Sequence, residues 1–327
     1  MINSECDKLD VFGGLPVFTV PGRGFRTMAD WPGRIEVPQD VDNWAWRIAC
    51  ARWDGPGFLD VFDAFLKTLG PATVQIKALV LGNWITDKDA DKTTADMFAP
   101  LVAAADRFPN LRALFLGDIE QSEQEISWIH QSDLAPVLRA FPKLTHVGVR
   151  GSENLSWEAR AYPELRELTF QSGGLPPEVV RAVAASDFPE LTDLELYLGT
   201  SEYNGGSDTD DLAAILDGTR LPALRYLGLR DDENAAATAA ALAHAPIVAR
   251  LEILDLSLGA LDDEGVAALL AGQPLTHLKK LDLHHHFISE EMQGRLLAAL
   301  PGVEVDLSDP QLEEEDDEVY RYVAVSE

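Results

Sequence analysis

Apolar positions along this chain recur in a fixed short figure. Leu251-Glu-Ile-Leu254-Asp-Leu256 returns 27 residues later as Leu278-Lys-Lys-Leu281-Asp-Leu283. The same L-x-x-L-x-L spacing starts at Leu111, Leu144, Leu165, Leu191 and Leu224, with looser versions at Ile76 and Leu300. The nine starts are separated by 35, 33, 21, 26, 33, 27, 27 and 22 residues. The last three positions of each figure alternate apolar, variable, apolar, the period of a strand with one buried face. Stretches such as Leu261-Asp-Asp-Glu-Gly265-Val-Ala-Ala-Leu269-Leu270 lie between the figures and predict amphipathic helices. There Asp262, Asp263 and Glu264 place negative charge at the helix N-terminus, where the backbone dipole favours it. An aromatic residue or leucine followed by proline precedes five figures, at Phe108, Phe141, Tyr162, Phe188 and Leu221. Proline lacks an N–H and disfavours helix in the preceding residue, so each pair ends a helix.

A strand and a returning helix, repeated every 20 to 29 residues or so, is the signature of leucine-rich repeats. The predicted fold is therefore an α/β solenoid, a horseshoe with a parallel sheet on its concave face and helices on its convex face. Residues 71–309 are assigned to the solenoid, 1–70 to an N-terminal cap region, and 310–327 to an acidic segment and C-terminal tail. In the cap region, Leu15–Val20 and Asn43–Cys50 read as strands, and the apolar stripe from Phe58 to Leu69 reads as a helix. Trp46 and Ile48 are expected to fill the places that Leu79 and Leu81 fill one unit later. Trp31, Trp44, Trp46 and Trp53 are expected to pack the cap. Two linkers are long, Gly117–Asp133 and the acidic Gly199–Asp211; insertions in solenoids fall on one face, often the binding face. After the block Glu313–Glu318, the β-prone Val319–Val325 is expected to fold back on the C-terminal cap.

Charge narrows the function classes. The chain has 26 basic and 55 acidic side chains, a formal charge of −29. Such a surface repels nucleic-acid backbones and anionic lipid, leaving basic proteins, basic peptides or cations as favoured partners. Only Cys6 and Cys50 are present, without metal-ligand spacing, and they read as reduced thiols of a cytoplasmic protein. The N-terminal sequence has no secretory pattern, and no apolar run reaches the ~20 residues that span a bilayer.

Strand alternation says which side chains can meet a ligand. The inner leucines point into the core and their neighbours line the concave face. The row between the two inner leucines reads Val80, Phe115, Gly148, Thr169, Glu195, Gly228, Asp255, Asp282, Glu304. The flanking rows add Arg150, Tyr197, Tyr226, Arg230 and His284. Tyrosine and arginine are frequent binding hot spots, so Arg150, Glu195, Tyr197, Tyr226, Arg230, Asp255, Asp282 and His284 are the candidate binding residues. His284-His285-His286 invites a metal reading. Adjacent strand residues diverge, however, so His284 and His285 should face opposite ways, and His286 falls where a turn-stabilising hydrogen bond is needed. No nucleophile elbow, phosphate loop or zinc-protease motif occurs. No catalytic residue, metal or cofactor is assigned, and no enzyme activity is expected.

The figures and the helix-opening Leu261–Gly265 resemble the ribonuclease-inhibitor-like class of leucine-rich repeats over residues 76–307, although the irregular spacings depart from its regular pattern. More narrowly, Phe12-Gly-Gly-Leu-Pro-Val-Phe18, His284-His-His-Phe-Ile-Ser289 and Arg321-Tyr-Val-Ala-Val325 resemble an uncharacterised bacterial family of cytoplasmic leucine-rich-repeat proteins. That resemblance implies genes accompanying radical-SAM and ATP-grasp enzymes, hence an accessory role in a modification pathway. The expected function is a non-enzymatic scaffold that binds a protein or peptide on its concave sheet. The alternatives are a metal-dependent small-molecule or catalytic site near Asp282 and His284, or a structural adaptor binding through its convex helices.

Overall fold

A computed structural model describes residues 7–20, 35–50, 55–85, 92–311 and 321–326. Cys6, Trp31, Trp53, the acidic block 313–318 and residues 319–320 lie outside the described residues. The chain divides into two compact units, Met1–Ser156 and Trp157–Glu327. Both are α/β, and among the described residues no helix is long and apolar enough to cross a membrane.

In the first unit, β1 (Val11–Phe12) and β2 (Leu15–Val20) form an antiparallel hairpin. Then β2, β3 (Ala45–Ile48), β4 (Ala78–Gly82), β5 (Ala113–Asp118) and β6 (His146–Arg150) run parallel. Trp46 pairs with Leu79 and Ile48 with Leu81, as the alternation predicts; Leu79 and Leu81 continue to Leu114 and Leu116, then to Val147 and Val149. Helices α1 (Phe58–Leu69), α2 (Thr94–Ala103) and α3 (Ala135–Ala140) return the chain. The stripe of α1 is buried at Phe58, Val61, Phe62, Phe65 and Leu69. Trp46 is fully enclosed, packs on Phe18 and Phe65, and donates its indole N–H to Val41 O at 2.9 Å.

In the second unit, six strands pair in parallel, from β7 (Glu167–Gln171) and β8 (Asp193–Gly199) to β9 (Tyr226–Asp232) and β10 (Ile253–Asp255), ending with β11 (Lys280–Asp282) and β12 (Glu304–Asp306). The helices are α4 (Pro177–Ala184), α5 (Thr209–Asp217), α6 (Ala235–Leu242), α7 (Asp263–Ala271) and α8 (Glu290–Ala299). Leu194, Leu227, Leu254 and Leu281 stack in register and are fully buried. Asp262 caps α7 by accepting from Gly265 N at 3.1 Å, the role its position predicts. The x-Pro pairs close a recurrent turn: the N–H of Leu111, Leu144, Leu165, Leu191 and Leu224 donates to the carbonyl of Phe108, Phe141, Tyr162, Phe188 and Leu221 respectively. Proline suits the second position of such a turn because its φ is already set.

The last figure shifts. Leu281 pairs with Val305, not with Val303, which the spacing from Leu300 places opposite it. Leu300 closes α8, donating its N–H to Leu296 O, so the strand begins later. Val303, Val305 and Leu307 alternate equally well, and a two-residue slip keeps every side chain on its face. The consequence is that Asp306 stands beside Asp282, where sequence spacing puts Glu304.

Candidate functional site

Five of the eight candidate residues form one enclosed cluster in the second unit. β8, β9 and β10 bring Glu195, Gly228 and Asp255 into lateral register. A Cβ at Gly228 would lie 2.7 Å from the Tyr226 hydroxyl; the missing side chain leaves room for that phenol between the two carboxylates. Tyr226 Oη lies 2.9 Å from Glu195 Oε2 and 3.0 Å from Asp255 Oδ2. Arg230 donates to Glu195 Oε2 at 3.2 Å and to Ser257 Oγ at 2.8 Å, lies 3.4 Å from Asp255, and stacks over the Tyr197 ring at 4.9 Å. Two carboxylates and one guanidinium leave excess negative charge enclosed. Burial first, then Asp255, pushes the Glu195 carboxyl up against the opposing pull of Arg230. Burial and the two anions hold the Tyr226 phenol protonated. Glu195, Arg230 and Asp255 are 4–5% exposed and Tyr197 fully buried, so the row expected to face a ligand is engaged with itself.

Arg150 belongs to a different arrangement, in the first unit. Its guanidinium donates to Ile119 O and to Asp7 O, both at 3.0 Å, and lies 3.7 Å from Asp118. Asp118 is also ion-paired with Arg47 and accepts from Leu9 N at 3.2 Å. Asp118 and Arg150 are fully buried. The Lys8 ammonium reaches Glu120 and Glu123 in the long 117–133 linker. The N-terminal segment is thus clamped across the row read as concave-facing. Leu9 and Phe12 pack on Ala45, Ala78, Val80, Ala113 and Phe115. Arg47 and Asp118 are missing from the candidate residues. The signals were an arginine at a strand position equivalent to Val80, and an aspartate directly after the Gly117 turn.

Asp282 and His284 gather on β11 and the turn after it. His284 Nδ1 lies 2.7 Å from Asp282 Oδ1, and Lys280 Nζ lies 2.8 Å from Asp282 and 3.5 Å from Asp306. Burial opposes ionisation of Asp282, but hydrogen bonds from His284 and Lys280 outweigh it and hold the carboxyl well below the usual range. Single ligand atoms of Asp282, His284 and Asp306 lie within 4.8 Å of one another. The Lys280 ammonium already supplies the positive charge these carboxylates need. His284 meets Asp282 and His285 meets Asp309 and Tyr322; both lie past the end of β11 and His285 is left-handed, so the turn and not strand alternation sets its direction. His286 is fully buried; its Nδ1 accepts from Ile288 N and its Nε2 pairs with Leu307 O. Burial holds it below its ordinary value, in the neutral form this pattern requires.

The polar concavity of this unit lies at its rim. A cleft of about 580 Å³ is walled by Thr200–Glu202 of the 199–211 linker, Glu233, Asp262 and the segment Arg321–Val323. That linker is held by close backbone approach: a Cβ at Gly199, whose φ is +67°, would sit 2.1 Å from Gly173 O. The described part of the C-terminal segment, Arg321–Ser326, folds back as an irregular strap and not as a strand, and it runs past its expected place on the C-terminal cap to Leu258 and Asp231. Ala324 N donates to Leu258 O and Val325 N to Asp231 Oδ1, both at 2.8 Å; Arg321 pairs with Asp262 at 2.7 Å. Tyr322 meets His285 and Phe287 edge-on, with centroids 5.3 and 5.5 Å apart. Burial pushes the Asp231 carboxyl well up, although Val325 N–H works against it.

No protein-family model and no curated protein matches the chain. Seventeen chains of solved structure match it. One is the crystal structure of a Bacteroides fragilis protein solved as a structural-genomics target, with a TM-score of 0.73 and 32% identity, covering 82% of this chain and 73% of that one.

Proposed function

We propose, from the premise that this chain and the Bacteroides fragilis protein belong to one family, that it is a cytoplasmic, non-enzymatic scaffold of the leucine-rich-repeat type. It binds a protein or peptide, as an accessory to a bacterial modification pathway. The observation that carries this reading is the seating of its own Arg321–Ser326 in irregular, strap-like form on the end of β9 and the loops that follow β10 and β11. A surface that holds one linear segment by backbone acceptors and side-chain recesses has the chemistry to hold another.

The reading moves the binding surface from the concave row to the rim. Glu195, Tyr197, Arg230 and Asp255 are packed against one another, and Arg150 is committed to Asp118 and the N-terminal segment. The rim cleft carries Glu202, Glu233 and Asp262, and its one basic group, Arg321, comes from the strap. That pattern favours a basic partner. The metal-dependent alternative is weakened by Lys280, which would have to leave before a cation could bridge Asp282 and Asp306.

Selection of displayed random peptides on the full-length protein tests the proposal. Peptides rich in lysine or arginine should be enriched, and Glu202→Lys with Glu233→Lys should cut their capture at least about tenfold. Capture unchanged by that charge reversal, or no enrichment at all, refutes it.

A further inference from the structure

Besides Asn204, four described residues of the second unit that are not glycine adopt the left-handed conformation, each three places after one of the laterally aligned residues Gly228, Asp255, Asp282 and Asp306. They are Asp231 (φ 55°), Leu258 (67°), His285 (55°) and Asp309 (59°). Side chains enter this region at a steric cost, and leucine does so rarely. The strain recurs at equivalent places, 27, 27 and 24 residues apart, so it belongs to the repeat and not to one loop.

Three of these four residues carry the strap. His285 Nε2 lies 3.3 Å from Tyr322 O, Leu258 O accepts from Ala324 N, and Asp231 Oδ1 accepts from Val325 N. The strap therefore crosses the repeats in reverse order, meeting one left-handed residue in each. Asp231 is fully buried, and its second oxygen, Oδ2, has no hydrogen-bond partner among the described residues. Side-chain selection accompanies the backbone contacts: Asp262 takes the arginine, His285 and Phe287 frame the aromatic ring, and Val323, 5% exposed, is the one apolar anchor.

We propose that this ladder of left-handed residues is a peptide track, and that Arg321–Ser326 is a resident self-ligand which occupies it and is displaced by the partner. The partner is an extended peptide with a basic residue, an aromatic residue and valine in succession. This rests on the scaffold reading and adds its specificity and its regulation. The strap is suited to exchange because Arg321 and Tyr322 stay about half exposed, at 51% and 46%, and only Val323 is driven in. Tethering gives a strap of this kind an effective concentration on the order of mM, so an outside peptide must overcome that advantage.

The test uses a fluorescent nonapeptide of sequence 319–327 and the full-length chain, read by anisotropy. Val323→Asp should release the strap and raise affinity for the added peptide at least about tenfold over wild type. Asp262→Lys in the same chain should abolish that gain, and a scrambled peptide should not bind. Tyr322→Ala serves as a second strap-weakening variant should Val323→Asp fail to fold. Equal affinity of wild type and both strap variants for the nonapeptide overturns the self-ligand proposal. Peptides selected on the wild type and lost on Glu202→Lys would then leave the scaffold reading standing. Failure of every chain to hold any peptide sinks both.

Discussion

Replacing Asp118 by asparagine removes a charge without removing volume. Asp118 is fully buried between the guanidinium groups of Arg47 and Arg150, and it accepts the N–H of Leu9. Burial, together with the repulsion from Arg150, lowers Arg47 to about 10, so it remains cationic at neutral pH. Asp118→Asn would leave two enclosed cations facing a neutral amide. Breaking a buried pair by deleting one partner costs about 3–5 kcal/mol, because the remaining charge is stranded away from water. With a urea m-value of about 2 kcal/mol/M, the unfolding midpoint of the first unit should fall by roughly 2 M. Hydrogen exchange should quicken at Leu9 and Val17, whose amides bond to Asp118 and to Asp10 O. The control is Lys77→Met, which breaks the exposed Lys77–Asp42 pair and should cost less than ~1 kcal/mol. If Asp118→Asn costs no more than this control, the clamp does not hold the N-terminal segment.

Two further outcomes follow from the second unit. Asp232 is buried against Thr238 and Asn234, and burial raises its carboxyl to about 6 from 3.8. A raised carboxyl stabilises the fold below its unfolded value and loses that contribution as pH climbs through the folded one. Wild type should therefore lose about 3 kcal/mol relative to Asp232→Asn between roughly pH 4 and pH 6. Urea midpoints of both proteins across that range measure it, and a pH-independent difference refutes it. Gly199→Ala should cost at least ~2 kcal/mol, since it adds a left-handed penalty to a clash with Gly173. Faster proteolysis of the linker from Thr200 should accompany the loss.

The strands and most of their register were legible because burying one face imposes a period of two, and Leu254 and Leu281 could satisfy it only by pointing inward. The same period is blind to a slip of two, which is why the partner of Leu281 was misplaced and Asp306 was missed beside Asp282. Alternation also separates side chains into two faces without saying what covers the second. Ala78, Val80, Ala113 and Phe115 are apolar on the face expected to meet water, a sign that something apolar lies over them; the structure supplies Leu9 and Phe12.

Local sequence thus determined the recurring strand figure, the helix start at Asp262 and the x-Pro turns, each an outcome of neighbours a few residues apart. Tertiary structure alone decided that Tyr226 fills the gap at Gly228, that Asp118 answers two arginines from separate strands, and that the C-terminal segment meets Asp231, Leu258 and His285. The contacts of Tyr226 with Glu195 and Asp255, and the others named, join residues tens of positions apart. Their energy depends on distance and burial in three dimensions, which no local period encodes.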